Sequence, residues 1–339
     1  VVLGKEDKFS CEMKTQMQIL RNQGVSCFHK IPDKDYDCFV DAIFGVGLTR
    51  EITDTEILDA IDTINSSDAY TYSVDIPSGI HTDTGCVMGR AVKADETITF
   101  TCEKVGLCLY PGKEYAGRIY TKNIGIGNSD IEKVGVTHYG YKEKDGAVLL
   151  TRNADGNKGT FGKVAVIAGN NEISGAAVLC AGAVMKSGAG IVKVLSNDKT
   201  LDIIRKTLPE AMVQSLDDEM SMAEQIKKAI KWADSVVIGP GIGTDDLAYS
   251  KLLTVLKDFP EGKCLIVDAD GINLIAGYEE LKELTCKVNK LVYTPHMLEL
   301  SRFTGIATDR LKAELDVIMA EVVAKNNAVF VCKDSVTRV

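Results

Sequence analysis

The segment SVDIPSGIHTDTG, residues 73–85, places an acid directly behind an apolar strand. The alternation that includes Tyr72 and Val74 favours a β-strand, and Asp75 ends it. After Ile76 come a proline, Ser78 and a glycine, which is typical of a tight turn. Ligands of open α/β sheets gather beyond the carboxyl ends of the strands, so Asp75 stands where a ligand could be met.

The spacing of Asp75 and Ser78 leaves two interpretations open. A carboxylate and a hydroxyl three residues apart could share a cation, or could act as a proton donor and its anchor. Aspartate and serine also form ordinary turns, so Asp75 could cap the turn and Ser78 the following segment. Taken alone, the segment favours the turn interpretation.

Strands and helices alternate around this segment. VVLG at the amino end, DCFVDAIFG and YTYSVD favour strands. The stretches SCEMKTQMQILRNQ (10–23) and DTEILDAIDTINSS favour helices, with Ser10 and with Asp54 or Thr53 as N-caps. The glycine-rich residues after 85 are expected to complete the sheet. This order predicts parallel strands in a doubly wound α/β sheet.

A second α/β alternation follows a charged, irregular stretch, and we place the domain boundary near residue 140. Its strands and helices are predicted in GKVAVIAG, ISGAAVLCAGAVMKSG, GIVKVLS, ADSVVIGPGIG, CLIVDADGINLI and KLVYTPHMLELSRFTG, with a long helix over about 309–325. The final AVFVCK and VTRV resemble two strands of an uncovered hairpin. This ending and the abrupt start predict a longer protein cut at both ends.

The composition restricts the class of protein. Of 339 residues, 45% are hydrophobic and 26% charged, as in a globular protein, and no apolar run reaches the roughly 20 residues that span a bilayer. The net charge of −9, without a Lys/Arg-rich block, argues against general nucleic-acid binding. Ten scattered cysteines without a CxxC pair disfavour zinc and disulfide frameworks and favour reduced thiols in a cytoplasmic protein.

Each predicted sheet has candidate residues at its carboxyl edge. In the first domain Asp41 follows an apolar strand, and Gly45 and Gly47 flank Val46, which leaves backbone amides free to bind an anion.

In the second domain GPGIG could cradle a nucleotide, although such a short motif is a weak signal. Asp268 and Asp270 could bind magnesium or, more commonly, cap a helix. His296 follows a proline at a strand-to-helix turn, where histidine is more often structural than catalytic. Lys333 and Thr337 suit phosphate oxygens but also an edge hairpin.

Taken together and in order, these segments resemble the bifunctional NAD(P)H-hydrate repair enzymes, over nearly the whole chain. In the first domain the resemblance rests on DAIFGVGLTRE, SVDIPSGIHTDTG and TFTCEKVGLCLYPGKEYAG. In the second it rests on NKGTFGKVAVIAGNNEISGAAVLCAGAVMKSGAGIV, ADSVVIGPGIG, IVDADGIN, TPHMLELSRFTG and VFVCKDSVT.

For residues 1–140 the resemblance implies a Rossmann-like, three-layer domain that interconverts the two C6 epimers of hydrated NADH or NADPH. It implies that Asp41 and Ser78 help to hold a potassium ion, and that Asp75 contacts the hydrated nicotinamide and carries proton transfer. The residues implied to line the dinucleotide are Gly45, Val46, Gly47, Leu48, Thr49, Arg50 and Glu51.

For residues 141–339 the resemblance implies a ribokinase-like α/β domain that removes water from the S epimer, driven by ADP or ATP with magnesium. Hydroxide is a poor leaving group, and phosphorylation of the hydroxyl would improve it. The residues implied to contact the hydrated substrate are Ala176, Gly243 and His296, and those implied to contact the nucleotide are Lys333, Asp334, Ser335, Val336 and Thr337.

The chain departs from the family pattern at four places. The family's upstream Gly-Asn-Asn-Gly-Gly-Asp-Gly loop and its later Gly-Thr-Gly-Asp segment are not in the sequence, so each site of the chain as given is expected to lack one essential piece, whereas the full-length parent is expected to be active. Asn157 stands in place of the family's histidine, and Asp334 in place of a glycine beside the phosphates. We expect a homo-oligomer that acts on NADHX and NADPHX, without nucleic-acid or membrane partners; a vitamin or sugar kinase and a non-catalytic binding protein remain the alternatives.

Overall fold

The computed structural model describes residues 1–4, 6–141, 145–146 and 154–339. The chain divides into two compact units, Val1–Gly140 and Tyr141–Val339. Within the described residues, none of the helices combines the length and the hydrophobicity needed to span a bilayer. All ten cysteines lie in the described part of the chain and are free thiols.

The first unit contains a four-stranded parallel sheet in the order β1-β2-β3-β4. Its described elements are a 3-10 turn (Glu6–Lys8), α1 (Cys11–Asn22), β1 (Cys38–Asp41), α2 (Thr55–Ser66), β2 (Tyr70–Val74), β3 (Glu96–Phe100), α3 (Val105–Cys108), α4 (Gly112–Ala116), β4 (Arg118–Lys122) and α5 (Asn128–Val134).

Local capping explains where the two long helices of this unit begin. The Ser10 side chain accepts a hydrogen bond from the backbone N–H of Met13, and Asp54 accepts one from Glu56. Both N-caps agree with those predicted from the sequence. The predicted strand VVLG is wrong, because residues 1–4 have no strand partner in the described structure and only Val2 bonds there, to the Phe28 carbonyl.

The interior of this sheet is more polar than the strand pattern predicts. In β2 the buried positions are Thr71 and Ser73, and in β3 they are Thr97 and Thr99. These hydroxyls find partners inside the protein: Thr97, for example, donates to the carbonyl of Ala116 over 2.7 Å. A row of buried hydroxyls therefore runs toward the carboxyl edge of the sheet.

The second unit contains a seven-stranded parallel sheet in the order β11-β10-β9-β8-β5-β6-β7. Its described elements are β5 (Lys163–Ile167), α6 (Gly175–Lys186), β6 (Ile191–Ser196), α7 (Asp198–Thr207), β7 (Met212–Ser215), α8 (Glu219–Trp232), β8 (Ser235–Ile238), α9 (Asp246–Lys257), β9 (Cys264–Val267), α10 (Asp270–Gly277), α11 (Glu279–Thr285), β10 (Leu291–Tyr293), α12 (Met297–Thr304), α13 (Thr308–Asn326) and β11 (Val329–Phe330).

Helices cover the two faces of this sheet unequally. Helices α8 to α13 contribute to one large hydrophobic core with alternate residues of the strands, among them Ile167, Ile238 and Tyr293. Helices α6 and α7 form a smaller core on the other strand residues, including Val166 and Val194. The expected final hairpin is only partly formed, because β11 pairs in parallel with β10 and a single antiparallel bridge joins Cys332 to Arg338.

Candidate functional site

The carboxylate of Asp41 is the centre of a buried hydrogen-bond network in the first unit. Asp41 ends β1 and is 1% exposed. Its Oδ2 accepts hydrogen bonds from the Ser73 hydroxyl over 2.9 Å and from the Ser78 backbone N–H over 2.8 Å. Its Oδ1 accepts from the Ser78 hydroxyl over 2.6 Å and from the Ile43 N–H over 3.3 Å. Four donors thus compensate the desolvation of this carboxylate.

Asp75 leaves strand β2 in an unusual backbone conformation. Its φ of 71° lies in the left-handed region, which non-glycine residues adopt rarely and at a cost of about 1–3 kcal/mol. The backbone N–H of Asp75 donates to the Ile98 carbonyl of the neighbouring strand over 2.8 Å. This turn carries the carboxylate across to the end of β3, where its partners lie.

The partners of Asp75 come from β3 and from the residue before α3. The carboxylate accepts hydrogen bonds from the Thr99 hydroxyl over 3.1 Å and from the Phe100 N–H over 3.2 Å, and it forms an ion pair with Lys104. The expectation that Asp75 and Ser78 only cap local turns is therefore wrong. Ser78 bonds to Asp41, and Asp75 bonds to a different strand, so these two side chains serve separate networks.

The predicted dinucleotide segment, residues 45–51, follows β1 on the surface. Val46 is 55% exposed, and the space around Gly45 and Gly47 is open, which leaves their backbone accessible. Leu48 differs, because its side chain is buried in a hydrophobic cluster with Ile52 and others and can offer a ligand only its backbone.

Sequence reasoning missed three residues that hold this site together: Ser73, Thr99 and Lys104. Ser73 and Thr99 lie inside strands, where a hydroxyl gives no signal of its partner. Lys104 follows β3 closely in TFTCEKVG. A basic residue just after a strand that neighbours β2 could have indicated a partner for Asp75.

A glycine-rich turn after β8 forms one side of the site in the second unit. Gly241 and Gly243 have φ of 65° and 84°, which favours glycine. A Cβ at Gly241 would lie 2.9 Å from the Cβ of Ala176, so the turn packs directly on the start of α6. The Gly243 N–H donates to the Asp270 carboxylate over 2.9 Å. The structure thus places Ala176, at the start of α6, against the turn that carries Gly243, so two predicted substrate contacts lie near each other.

Asp268 and Asp270 flank a strained residue. Ala269 is the N-cap of α10, with φ 51° and ψ −118°, and no side chain caps this helix. The favoured expectation, helix capping by either aspartate, is therefore wrong. Asp270 instead bonds to Gly243, and Asp268 accepts a hydrogen bond from Lys333 Nζ over 2.7 Å.

His296 is the N-cap of α12 and lies beside Lys333. Its ring Nδ1 accepts hydrogen bonds from the backbone N–H groups of Leu298 and Glu299. The Glu299 carboxylate in turn accepts one from the backbone N–H of His296. This capping box holds the ring, which stays half exposed and so accessible from outside. A backbone bridge joins His296 to Lys333, whereas residues 334–337 continue as a largely exposed turn.

Asn170, which sequence reasoning did not single out, also belongs to this edge. Its Oδ1 accepts from the N–H groups of Glu172 and Ile173, which fixes the loop before α6. Its amide nitrogen would lie 3.3 Å from a Cβ at Gly243. The available signal was its position directly after a buried strand and a glycine.

A largely apolar groove of about 900 Å³ opens beside this edge, along the face of the sheet that carries α6. Its lining includes Ala176, Cys180, Ile266, Asp268 and Thr294. The Thr294 hydroxyl has no hydrogen-bond partner within the described structure although it is buried. The groove therefore combines an apolar wall with a few polar groups, as ligand sites do.

The reactivity of the Cys180 thiol should reflect its burial beside this groove. Burial, and secondly the charge of Asp268, raise the pKa of Cys180 to about 11. Because only the thiolate is alkylated, iodoacetamide should label Cys180 at least ~10-fold more slowly at pH 8 than it labels an ordinary thiol. Its labelling rate should rise with pH up to about pH 11.

Mass spectrometry of the Cys180 peptide measures this rate, and the same chain in urea provides the control. In urea the rate should level off near the ordinary thiol pKa of about 8.5. Equal pH profiles in the two states would contradict the burial of this thiol.

Two family models match the chain. Residues 164–339 match the model described as NAD(P)H-hydrate dehydratase, and residues 1–106 match the model described as YjeF-related protein N-terminus. The bifunctional NAD(P)H-hydrate repair enzyme Nnr of Thermofilum pendens is 32% identical over 308 residues, which are 89% of this chain and 57% of that protein. The enzyme of the same name from Escherichia coli is 31% identical over 82% of this chain and 51% of that protein. The chain therefore spans a little over half the length of these relatives.

Solved structures resemble parts of the chain more distantly. A hypothetical protein of Streptococcus mutans is 28% identical over 56% of this chain and 66% of its own, with a TM-score of 0.49. An ADP/ATP-dependent NAD(P)H-hydrate dehydratase of Bacillus subtilis, co-crystallised with ATP/Mg²⁺, is 24% identical over 55% of this chain and 63% of its own, with a TM-score of 0.44.

Proposed function

Because the chain belongs to the NAD(P)H-hydrate dehydratase family, we propose that it repairs hydrated nicotinamide coenzymes. Its second unit removes water from the S epimer of NADHX or NADPHX at the expense of ADP or ATP. Its first unit interconverts the R and S epimers, so that both reach the dehydratase.

The observation that carries the dehydratase proposal is the cluster at the carboxyl edge of the seven-stranded sheet. The Gly243 N–H is hydrogen-bonded to Asp270, the Lys333 ammonium is hydrogen-bonded to Asp268, and His296 lies beside Lys333. Substrate contacts on the turn after β8 and a cation after β11 would thus lie at one edge of the sheet. Lys333 suits the anionic oxygens of a nucleotide, and Asp268 holds its ammonium group in place.

The nucleotide would supply the phosphoryl group that turns the substrate hydroxyl into a better leaving group. Among the described residues, no group of three or more His, Cys, Asp or Glu side chains could hold a metal ion alone. Magnesium is commonly bound by one or two carboxylates together with substrate phosphates, so Asp268 and Asp270 fit that use. Asp334 adds negative charge to the proposed phosphate turn formed by Lys333–Thr337, and it should weaken nucleotide binding.

In the first unit, Asp75 is the proposed acid–base group, with the dinucleotide along residues 45–51. The Ser78 hydroxyl donates to Asp41 over 2.6 Å, and once that hydroxyl turned away from the carboxylate the two oxygens would fit as part of a potassium site. The bound ion would supply positive charge near the substrate, and Asp41 would balance that charge. A homo-oligomer is part of the proposal, and sedimentation tests it. The free thiols support the cytoplasm as the compartment.

The test is the recovery of NADPH from its hydrate. NADPH hydrated in acid is purified and incubated with the full-length protein, magnesium, and ADP or ATP. We expect the reduced-nicotinamide absorbance to return only with nucleotide, with one phosphate released per NADPH formed. Without nucleotide, chromatography should still show the R and S hydrates exchanging faster than in buffer.

Two results would contradict the proposal. Phosphate transfer to a vitamin alcohol without recovery of NADPH would favour a kinase. Tight binding of the hydrate without exchange or recovery would favour a binding protein.

A further inference from the structure

The Asp75 carboxylate is held through one of its two oxygens. Oδ1 accepts all three hydrogen bonds, from the Thr99 hydroxyl, the Phe100 N–H and the Lys104 ammonium. No residue in the described ranges donates to Oδ2. The carboxylate is thus fixed on one side and leaves its second oxygen for a ligand.

The Lys104 ammonium uses every hydrogen it has within this network. It donates to Asp75 Oδ1, to the Thr99 hydroxyl over 2.9 Å and to the Phe100 carbonyl over 3.0 Å. An ammonium has three donors and no acceptor, so none remains for a substrate. Lys104 therefore has no hydrogen left to bond a substrate, and its contacts act on Asp75, Thr99 and Phe100.

Partial burial makes the attraction between Lys104 and Asp75 stronger than that of a surface ion pair. The side chains of Lys104 and Asp75 are each 17% exposed, so water screens their attraction only in part. Thr99 accepts from Lys104 and can donate to Asp75, which closes a ring of three hydrogen bonds. Such a ring restrains the rotation of the Asp75 carboxylate.

We propose that Lys104 is a positioning residue of the epimerase site. It holds Oδ1 of Asp75 toward the protein and so directs Oδ2 toward the hydrated nicotinamide ring. Lys104 itself makes no bond to the substrate. This inference rests on the proposed epimerase function of the first unit.

The test combines Lys104→Met with Asp75→Asn in a double-mutant cycle. Lys104→Met alone should lower kcat for epimer interconversion about 100-fold with KM within about 3-fold, because misplaced catalytic groups cost rates of that order. In the Asp75→Asn background the same change should alter kcat less than about 2-fold, because the group it positions is gone. Lys93→Met, at an exposed lysine of the same unit, is the matched control.

The outcomes separate this inference from the function it rests on. No interconversion by the unaltered full-length protein overturns the proposed epimerase function and this inference with it. Interconversion that Lys104→Met leaves within about 2-fold, or an equal loss in both backgrounds, overturns this inference alone. Lys104→Gln, which keeps a hydrogen-bond donor, should recover about tenfold of the loss and keeps the test valid if the methionine variant does not fold.

Discussion

Replacing Asp75 by asparagine is expected to slow the interconversion of the R and S hydrates about 10³-fold, the usual worth of a positioned acid–base group. Asparagine has nearly the same shape and can still accept from Thr99 and Phe100 through its carbonyl oxygen. It cannot take up or release a proton at the substrate. Chromatographic separation of the two epimers over time measures the rate.

The matched control for this prediction is Asp83→Asn. Asp83 is an exposed aspartate eight residues further along the same segment, and no described residue donates to its carboxylate. Its replacement should leave the rate within about 2-fold, because it removes one surface charge only. If Asp75→Asn also stays within this limit while the unaltered chain is active, Asp75 is not the acid–base group.

Much of the fold follows from local signals in the sequence. Helices α1 and α2 begin at the predicted caps, and α13, which is kinked at Glu314, spans 308–326 against a single long helix predicted over about 309–325. Helices α7 and α8 and strand β7 between them are not among the predicted elements. Their caps, Asn197 and Asp218, are nevertheless the residues that usually begin helices.

The site was predictable only as far as strand ends could be located. Parallel strands place their carboxyl ends on one edge of each sheet, so Asp41 and Asp75 could be assigned to that edge of the first sheet and Lys333 to that edge of the second from strand order. Which side chains bond to which depends on register between distant segments. Lys333 and Asp268 are 65 positions apart, and Asp75 and Lys104 are 29 apart. Local residue preferences predicted helix caps and turns at these aspartates. In the structure their side chains instead bond to residues from distant segments.

The resemblance to bifunctional NAD(P)H-hydrate repair enzymes is confirmed by the two family models and the curated relatives. The predicted α/β class is confirmed by the two parallel sheets. Neither result assigns a role to an individual residue. A family model is matched over a long segment, whereas a catalytic or binding role depends on the atoms of one side chain. The residue roles therefore remain predictions that the substitutions above address.

Replacing Asp41 by alanine is expected to destabilise the first unit by about 3 kcal/mol. The change removes an acceptor that is 1% exposed and that satisfies the hydroxyls of Ser73 and Ser78 and two backbone N–H groups. Each buried donor left unsatisfied costs about 1–3 kcal/mol, and relaxation of the serine hydroxyls together with the relief of a buried charge offsets part of that sum. Hydrogen exchange of residues 70–78 in increasing urea measures the first unit separately from the second.

Asp37→Ala is the matched control, because Asp37 is exposed at the opposite end of the same strand and should change stability by less than about 0.5 kcal/mol.

The same measurement tests the proposed potassium site. An ion held by Asp41 and Ser78 stabilises the folded unit by mass action, so exchange should slow in KCl relative to tetramethylammonium chloride. That salt difference should vanish in Asp41→Ala. Equal exchange in both salts would remove the potassium ion from the proposal, whereas unchanged exchange in Asp41→Ala would show that the buried network does not stabilise this sheet.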